Sequence, residues 1–260
     1  MSTKASTPSS PAASPSRSGW LWSVAWLVLA AAALYATFAS VHYRWNWSGV
    51  WRYRAEFMTG WFTTLGISLA AMVVSITCGL ALMAGARASW DAVRVFCRGV
   101  IESIRCSPLL VQLLIGYYIV ANALHVTDRV VMGVLLLGLF EGAYLAEIFR
   151  GAVESVGASQ REAARAVGFD VAQTYRHVII PQALRRALPG TTGQLVSLIK
   201  DSSLLSVIGT EELVKKVQNM NAATYSGLEG FIPLALAYLA VTLPLAWWAR
   251  RLERRFGYET

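Results

Sequence analysis

Apolar residues fall in six long runs, at about 20–41, 61–86, 100–121, 130–149, 190–210 and 230–249. Each approaches the roughly 20 residues that carry a helix across a hydrocarbon core. The pattern predicts an all-α, polytopic membrane helical bundle of about six transmembrane helices. Residues 1–19, rich in Ser, Pro and Ala, cannot bury a core and are predicted to be a disordered cytoplasmic tail. The run 20–41 follows Lys4 and Arg17 in the manner of a signal peptide. Its apolar part outlasts the roughly 7–15 residues of a signal core, and Trp20, Trp22 and Trp26 suit an interfacial anchor, so it is read as a retained N-terminal span. Residues 42–60 interleave Tyr43, Trp45, Trp47, Trp51 and Tyr53 with Arg44, Arg52 and Arg54, which fits a periplasmic segment at headgroup level.

Composition agrees with this pattern. Only 15% of residues are charged and 55% are hydrophobic, against about a quarter charged in soluble domains. The formal charge of +8 lies between the apolar runs and not on one polar helix, which argues against nucleic acid and for a topology signal. With six spans and an internal N-terminus, the cytoplasmic segments hold fifteen Lys and Arg against six outside. Both termini are therefore expected in the cytoplasm. Cys78, Cys97 and Cys106 match no disulfide or metal spacing, so no metal and no cofactor are expected. No GxxxxGK[ST] phosphate loop is present, so ATP would have to be hydrolysed elsewhere.

The polar loop from about 151 to 187 is densely punctuated. Ser159 and Glu162 have capping-box spacing, an Ala-rich helix follows, and Gly168 is placed to end it in a left-handed conformation. Asp170 and Gln173 repeat the capping pattern, and Pro181 is expected to limit the second helix. A helix, a tight glycine turn and a second helix are thus predicted on the cytoplasmic face. On spacing alone the hairpin would either receive a partner surface or pack on its own membrane domain.

Ionisable groups within spans cost a few kcal/mol, about 2.5–3.5 on insertion scales, and usually face a partner or a polar path. Glu141 and Glu147 in the fourth run, and Lys200 and Asp201 in the fifth, are such groups. Lys200 and Asp201 are about 100° apart on a helix and are each expected to find a partner on another helix. Gln112 and Gln194 are candidates to line a polar cavity or to hydrogen-bond within the bundle. Ser107-Pro108 reads as a helix N-cap followed by proline, so a helix is expected to start there.

Glu162-Ala163-Ala164, three residues, Gly168, then nine residues before Val178-Ile179-Ile180-Pro181 resembles the EAA loop of ABC importer permeases. Val178 and Ile180 depart from the usual Ile and Leu, and Ser159 stands where Gly is common. Arg105-Cys106-Ser107-Pro108-Leu109-Leu110-Val111-Gln112 is similar to the Arg-Gly-Thr-Pro-Leu-Leu-x-Gln segment of the polar amino-acid branch. Ala143 to Gly151, Lys200 to Leu204 and Asn221 to Tyr225 also resemble that branch, which includes histidine, glutamine, glutamate, basic amino-acid and opine systems.

The resemblance implies a five-helix importer core over 61–256 plus the extra span 20–41. It implies a cytoplasmic coupling helix whose ATPase contact involves Glu162, Ala163, Ala164, Gly168 and Pro181. Glu141, Gln112, Gln194, Lys200 and Asp201 are the candidates for a substrate path or gate. The implied partners are a cytoplasmic ABC ATPase dimer, a second permease subunit (identical or paralogous), a periplasmic solute-binding protein and the lipid bilayer. An intramembrane protease lacks support: Gly157-Ala158-Ser159 is followed by Gln160, no HExxH occurs, and no His stands beside a nucleophile. A channel or sensor subunit, or a permease for another small polar solute, is the alternative.

Overall fold

A computed structural model describes residues 17–40, 45–225 and 227–256. The tail up to residue 16, and His42, Tyr43 and Arg44 of the interfacial segment, lie outside the described residues. The chain divides into two compact units, 1–45 and 46–260. In the first, α1 (Arg17–Ser40) carries the apolar stretch Val24–Ser40.

In the second unit every regular element described is helical. A short α2 (Ser48–Arg52) leads into α3 (Arg54–Gly85), which starts seven residues before the apolar run. Arg54 lies over the Trp51 ring at 5.1 Å, so a cation–π contact closes the entry to α3. Next come α4 (Asp91–Arg105), α5 (Leu109–Ile115) with its π-turn continuation Gly116–Ala121, and α6 (Arg129–Glu154). The loop holds α7 (Ala158–Ala166) and α8 (Val171–Thr174). A π segment, Tyr175–Ile179, then joins α8 to α9 (Ile180–Asp201), and α10 (Leu213–Thr224) and α11 (Phe231–Phe256) complete the unit.

Helix α6 is the centre of the bundle, packed against α3, α4 and α9. Its seam with α3 is made by small residues. A Cβ on Gly138 would stand 2.6 Å from Val74 Cβ, and one on Gly142 2.9 Å from Cys78 Cβ. Gly138, Gly142 and the buried Ala146 recur every fourth residue and meet Ala71, Ser75 and Gly79 of α3, whose spacing is the same. With no hydrophobic force between helices in lipid, such close backbone approach is what dispersion needs. The buried hydroxyls of Ser68 and Ser75 donate to the carbonyls of Thr64 and Ala71, so neither is left unsatisfied. Leu113, Leu137, Leu145, Leu198 and Leu205 fill the core around this seam.

Among the described residues three helices, α3, α6 and α11, are long and apolar enough to cross a membrane. The run read as one span at 100–121 is instead bent by 110° between α4 and α5, and only the pair taken together has the length and apolarity of a crossing. Ser107 does not cap this break, because its hydroxyl donates back to Ser103 O; Pro108 itself takes the extended N-cap position, with ψ 132°. The run at 190–210 also shifts. Helix α9 begins at Ile180 and ends at Asp201, followed by a 3₁₀ turn over Ser202–Ile208. Its Arg185, Arg186, Lys200 and Asp201 make it less apolar than α3, α6 and α11.

Candidate functional site

The loop folds as a capped elbow. After α7, Gly168 takes φ +87°. Its N–H donates to Arg165 O at 3.0 Å, and the Phe169 N–H donates to Ala164 O at 3.0 Å. This pair of bonds is the Schellman termination, which satisfies two carbonyls at the helix end. Asp170 then accepts from the Gln173 N–H at 2.7 Å, while the Gln173 side chain accepts from the Asp170 N–H at 2.9 Å. The second capping box is therefore formed. The first is not: α7 starts at Ala158 behind an extended Gly157, which puts Ser159 inside the helix with no capping bond.

Nor does Pro181 end the second helix. It sits at the start of α9, where its missing N–H and its ring would disturb an α-helical ladder. The π segment over Tyr175–Ile179 shifts that ladder by one residue and lets the chain continue as helix.

The elbow is fastened where it leaves α6. Arg161 donates to Val153 O at 3.2 Å, joining α7 to the end of α6. Arg186 of α9 donates to the carbonyl of Ser155 and, at 2.9 Å, to its hydroxyl. Ala152, Ala183 and Ala187 pack α6 closely on α9 just above. Glu162 and Ala163 face outward while Ala164 is buried. Val167 and Val171, 71% and 72% exposed, flank the turn. Glu162, Ala163 and Gly168 thus share one surface feature with Ala164 buried beneath it, and Pro181 stands apart at the entry to α9.

Of the five path candidates, the structure gathers three. Glu141 on α6 is fully buried, accepts a hydrogen bond from Gln194 of α9 and faces the carboxyl of Asp201 at the end of α9. Its Oε1 receives no donor among the described residues. Lys200 is exposed, and no ion pair to it occurs among the described residues. Asp201 finds its partner on another helix, as expected, but that partner is the acid Glu141 and not a base, whereas Lys200 has no ion pair among the described residues. Gln112 is occupied locally. Its amide donates to Ile104 O at 2.7 Å and to Ser107 Oγ at 2.7 Å, which staples the α4–α5 bend.

Two further networks were missed by the sequence reading. Arg105–Glu147 (3.6 Å), Glu147–Arg150 (2.8 Å), Arg150–Glu154 (2.5 Å) and Glu154–Arg87 (3.5 Å) form a ladder. It joins the end of α4, the last turns of α6 and the turn after α3. Spacings of three and four residues among Glu147, Arg150 and Glu154 were the available signal. At the other end of α3, buried Glu212 caps α10, accepting from Val214 N–H and Lys215 N–H at 2.9 and 2.8 Å. Thr64 of α3 and Tyr238 of α11 also donate to it. Burial pushes Glu212 up to about 7, against the pull of those donors. Nearby, Lys216 bridges Glu56 and Glu211 at 2.8 and 2.9 Å. That ammonium holds Glu211 below the usual carboxylate range and is itself raised by the two acids. No sequence spacing announces the Thr64–Glu212–Tyr238 hub.

Among the described residues no group of three or more His, Cys, Asp or Glu is placed to hold a metal ion. Residues 78–258 match the family model described as "Binding-protein-dependent transport system inner membrane component". The glutamine transport system permease protein GlnP of Escherichia coli (strain K12) is 36% identical over 217 residues, 81% of this chain and 97% of that protein. The histidine/lysine/arginine/ornithine transport system permease protein HisQ of Salmonella typhimurium (strain LT2) is 32% identical over 212 residues, 77% and 92% of the two chains. The crystal structure of an amino acid ABC transporter with histidines superposes with a TM-score of 0.76 at 30% identity, over 82% of this chain and all of that one. The inward-facing methionine ABC transporter MetNI, 16% identical with a TM-score of 0.66 over 79% and 98%, shares the fold. A small-residue helical seam, a capped elbow bound to two bundle helices and this breadth of likeness lead to one conclusion: the chain belongs to the binding-protein-dependent transport system inner membrane components, the permease subunits of ABC importers.

Proposed function

We propose that the chain forms the translocation path of an ATP-driven amino-acid importer and receives its work through the elbow around Gly168. One observation carries the reading: the doubly capped turn is tied to the end of α6 by Arg161 and runs through the Tyr175–Ile179 segment into α9, whose Arg186 bonds Ser155 at the foot of α6, and those two helices carry Glu141, Gln194 and Asp201. A displacement of the elbow is therefore delivered to the helices that hold the polar cluster. The relatives that serve glutamine and the basic amino acids support an amino acid as cargo. The cluster suits one chemically. The unpaired Glu141 Oε1 and the Asp201 carboxyl fit an α-ammonium group, and exposed Lys200 fits a carboxylate.

In this reading two ATPase subunits close on ATP, draw two elbows together and rock two permease subunits between outward- and inward-facing states. The second subunit is a copy or a paralogue, and a periplasmic binding protein delivers the amino acid. This reading puts both termini in the cytoplasm, and the fifteen-to-six distribution of basic residues over six spans supports it. The test is uptake of radiolabelled glutamine, histidine and arginine by a strain lacking this chain, complemented with wild type or Glu141→Gln. Restored ATP-dependent uptake by wild type and loss with the variant are expected. Uptake by the purified chain with no ATPase present would overturn the proposal.

A further inference from the structure

The end of α11 carries a feature that transport does not use. Trp247, Arg250, Arg251 and Arg254 stand at i, i+3, i+4 and i+7, so they share one face of the helix. They line a cavity of about 260 Å³. The Arg251 guanidinium lies over the Trp247 ring, 5.4 Å from its centroid, which fixes that side chain against an aromatic wall. Glu253 is the one carboxylate between Trp247 and Arg255, and it is not part of the lining. No ion pair to Arg250, Arg251 or Arg254 occurs among the described residues.

A topology signal needs only net positive charge near the end of a span. It does not need three guanidinium groups gathered with an indole around one concavity. The depth along the helix is also informative. Trp247 and Trp248, 56% and 51% exposed, close the uncharged part of the crossing Phe231–Arg255, where indoles sit at the headgroup boundary. The arginines follow within the next two turns, at the level of lipid phosphates. Trp247, Arg250, Arg251 and Arg254 are all exposed, so the stripe opens away from the bundle toward the bilayer.

We propose that this stripe binds the phosphodiester headgroup of an anionic phospholipid. Arg250 and Arg254, one turn apart, bracket the phosphate, and Arg251, braced on Trp247, supplies a third fork of donors. Planar guanidinium groups match phosphate oxygens in pairs, which ammonium groups do not. The occupant is a lipid and not free phosphate because the wall of the cavity is the aromatic end of a membrane crossing, where acyl chains already lie.

The test uses the permease assembled with its ATPase in neutral detergent, titrated with phosphatidylglycerol, cardiolipin or phosphatidylcholine and followed by native mass spectrometry and thermal unfolding. Retained anionic lipid and a raised unfolding temperature are expected, with phosphatidylcholine giving neither. Arg254→Gln keeps the other arginines for insertion and is expected to weaken anionic-lipid binding roughly fivefold; replacing all three arginines by Gln is expected to weaken it about 100-fold. Inorganic phosphate and glycerol phosphate, added as separate arms, are expected to leave the unfolding temperature unchanged. Equal binding of both lipid classes, an Arg254→Gln variant equal to wild type, or the same stabilisation from inorganic phosphate would each overturn the proposal. Because the readout is lipid retention, its failure leaves the transport reading intact.

Discussion

Gly168 separates conformational strain from steric bulk. A Cβ built there meets no atom within 4 Å, so a larger side chain encounters no neighbour. What it encounters is the backbone, because φ +87° lies in the left-handed region. Placing an L-residue there costs about 1–2 kcal/mol, and a β-branched residue costs more. At 1.4 kcal/mol per tenfold, Gly168→Ala lowers the population of the capped elbow by roughly five- to thirtyfold. The bonds from Gly168 N–H and Phe169 N–H are lost together when the turn opens. Since the elbow lies outside the α3–α6 core, the unfolding temperature of the bundle should barely change. The assay is binding of the ATPase subunit to the permease in nanodiscs. Gly168→Ala is expected to weaken it by roughly that factor and Gly168→Val further, whereas Gly168→Asn, which tolerates the left-handed region, should lie closest to wild type. Wild-type affinity in the Val variant would refute the reasoning, as would an Asn variant as weak as Val.

Gly138→Val drives a branched side chain into Val74 and the Ala71 carbonyl, so α3 and α6 must separate; thermal unfolding should fall by at least the about 1–3 kcal/mol typical of overpacking. Gln194→Leu removes the donor to buried Glu141 and should cost about 1–3 kcal/mol, with uptake lost while ATPase binding persists. Glu212, raised from 4.5 to about 7, keeps its proton in the folded chain where the unfolded chain has released it. Its contribution is complete below about 4.5 and is lost as pH rises through about 7, a span of about 3 kcal/mol. Protection factors of the α10 amides, taken relative to intrinsic base-catalysed exchange at each pH, should therefore be higher at about pH 5.5 than at about pH 8, and Glu212→Gln should abolish that difference.

The parts of the elbow that were legible in the sequence are those decided within a few residues. Gly168 and the Asp170–Gln173 box act on their own backbone, and the structure forms both. Ser159 and Glu162 had the same spacing but lost to an earlier start at Ala158, which no side-chain pattern marks. Pro181 misled because a π segment upstream accommodates it, a compensation that depends on the ladder and not on the proline. The polar cluster was half legible. Charged residues in apolar runs pointed to Glu141 and Asp201, but only packing reveals that the two acids face each other. Likewise, Gln112 spends its amide on the α4–α5 bend, eight residues back along the chain, which hydropathy cannot report. The small-residue spacing at Gly138, Gly142 and Ala146 was present in the sequence, though its partner stripe on α3 becomes evident only when the helices are paired.

The coupling role of the elbow is tested most directly by a cysteine at Ala163, which faces outward on α7. Exposed Cys106 would be replaced by Ser, and the complete importer with its ATPase reconstituted in proteoliposomes. A short bifunctional cross-linker should join position 163 to the ATPase subunit, and that cross-link should stop both substrate-stimulated ATP hydrolysis and uptake until it is cleaved. Reaction of the same cysteine with an impermeant reagent from the binding-protein side, or undiminished uptake in the fully cross-linked complex, would contradict the account.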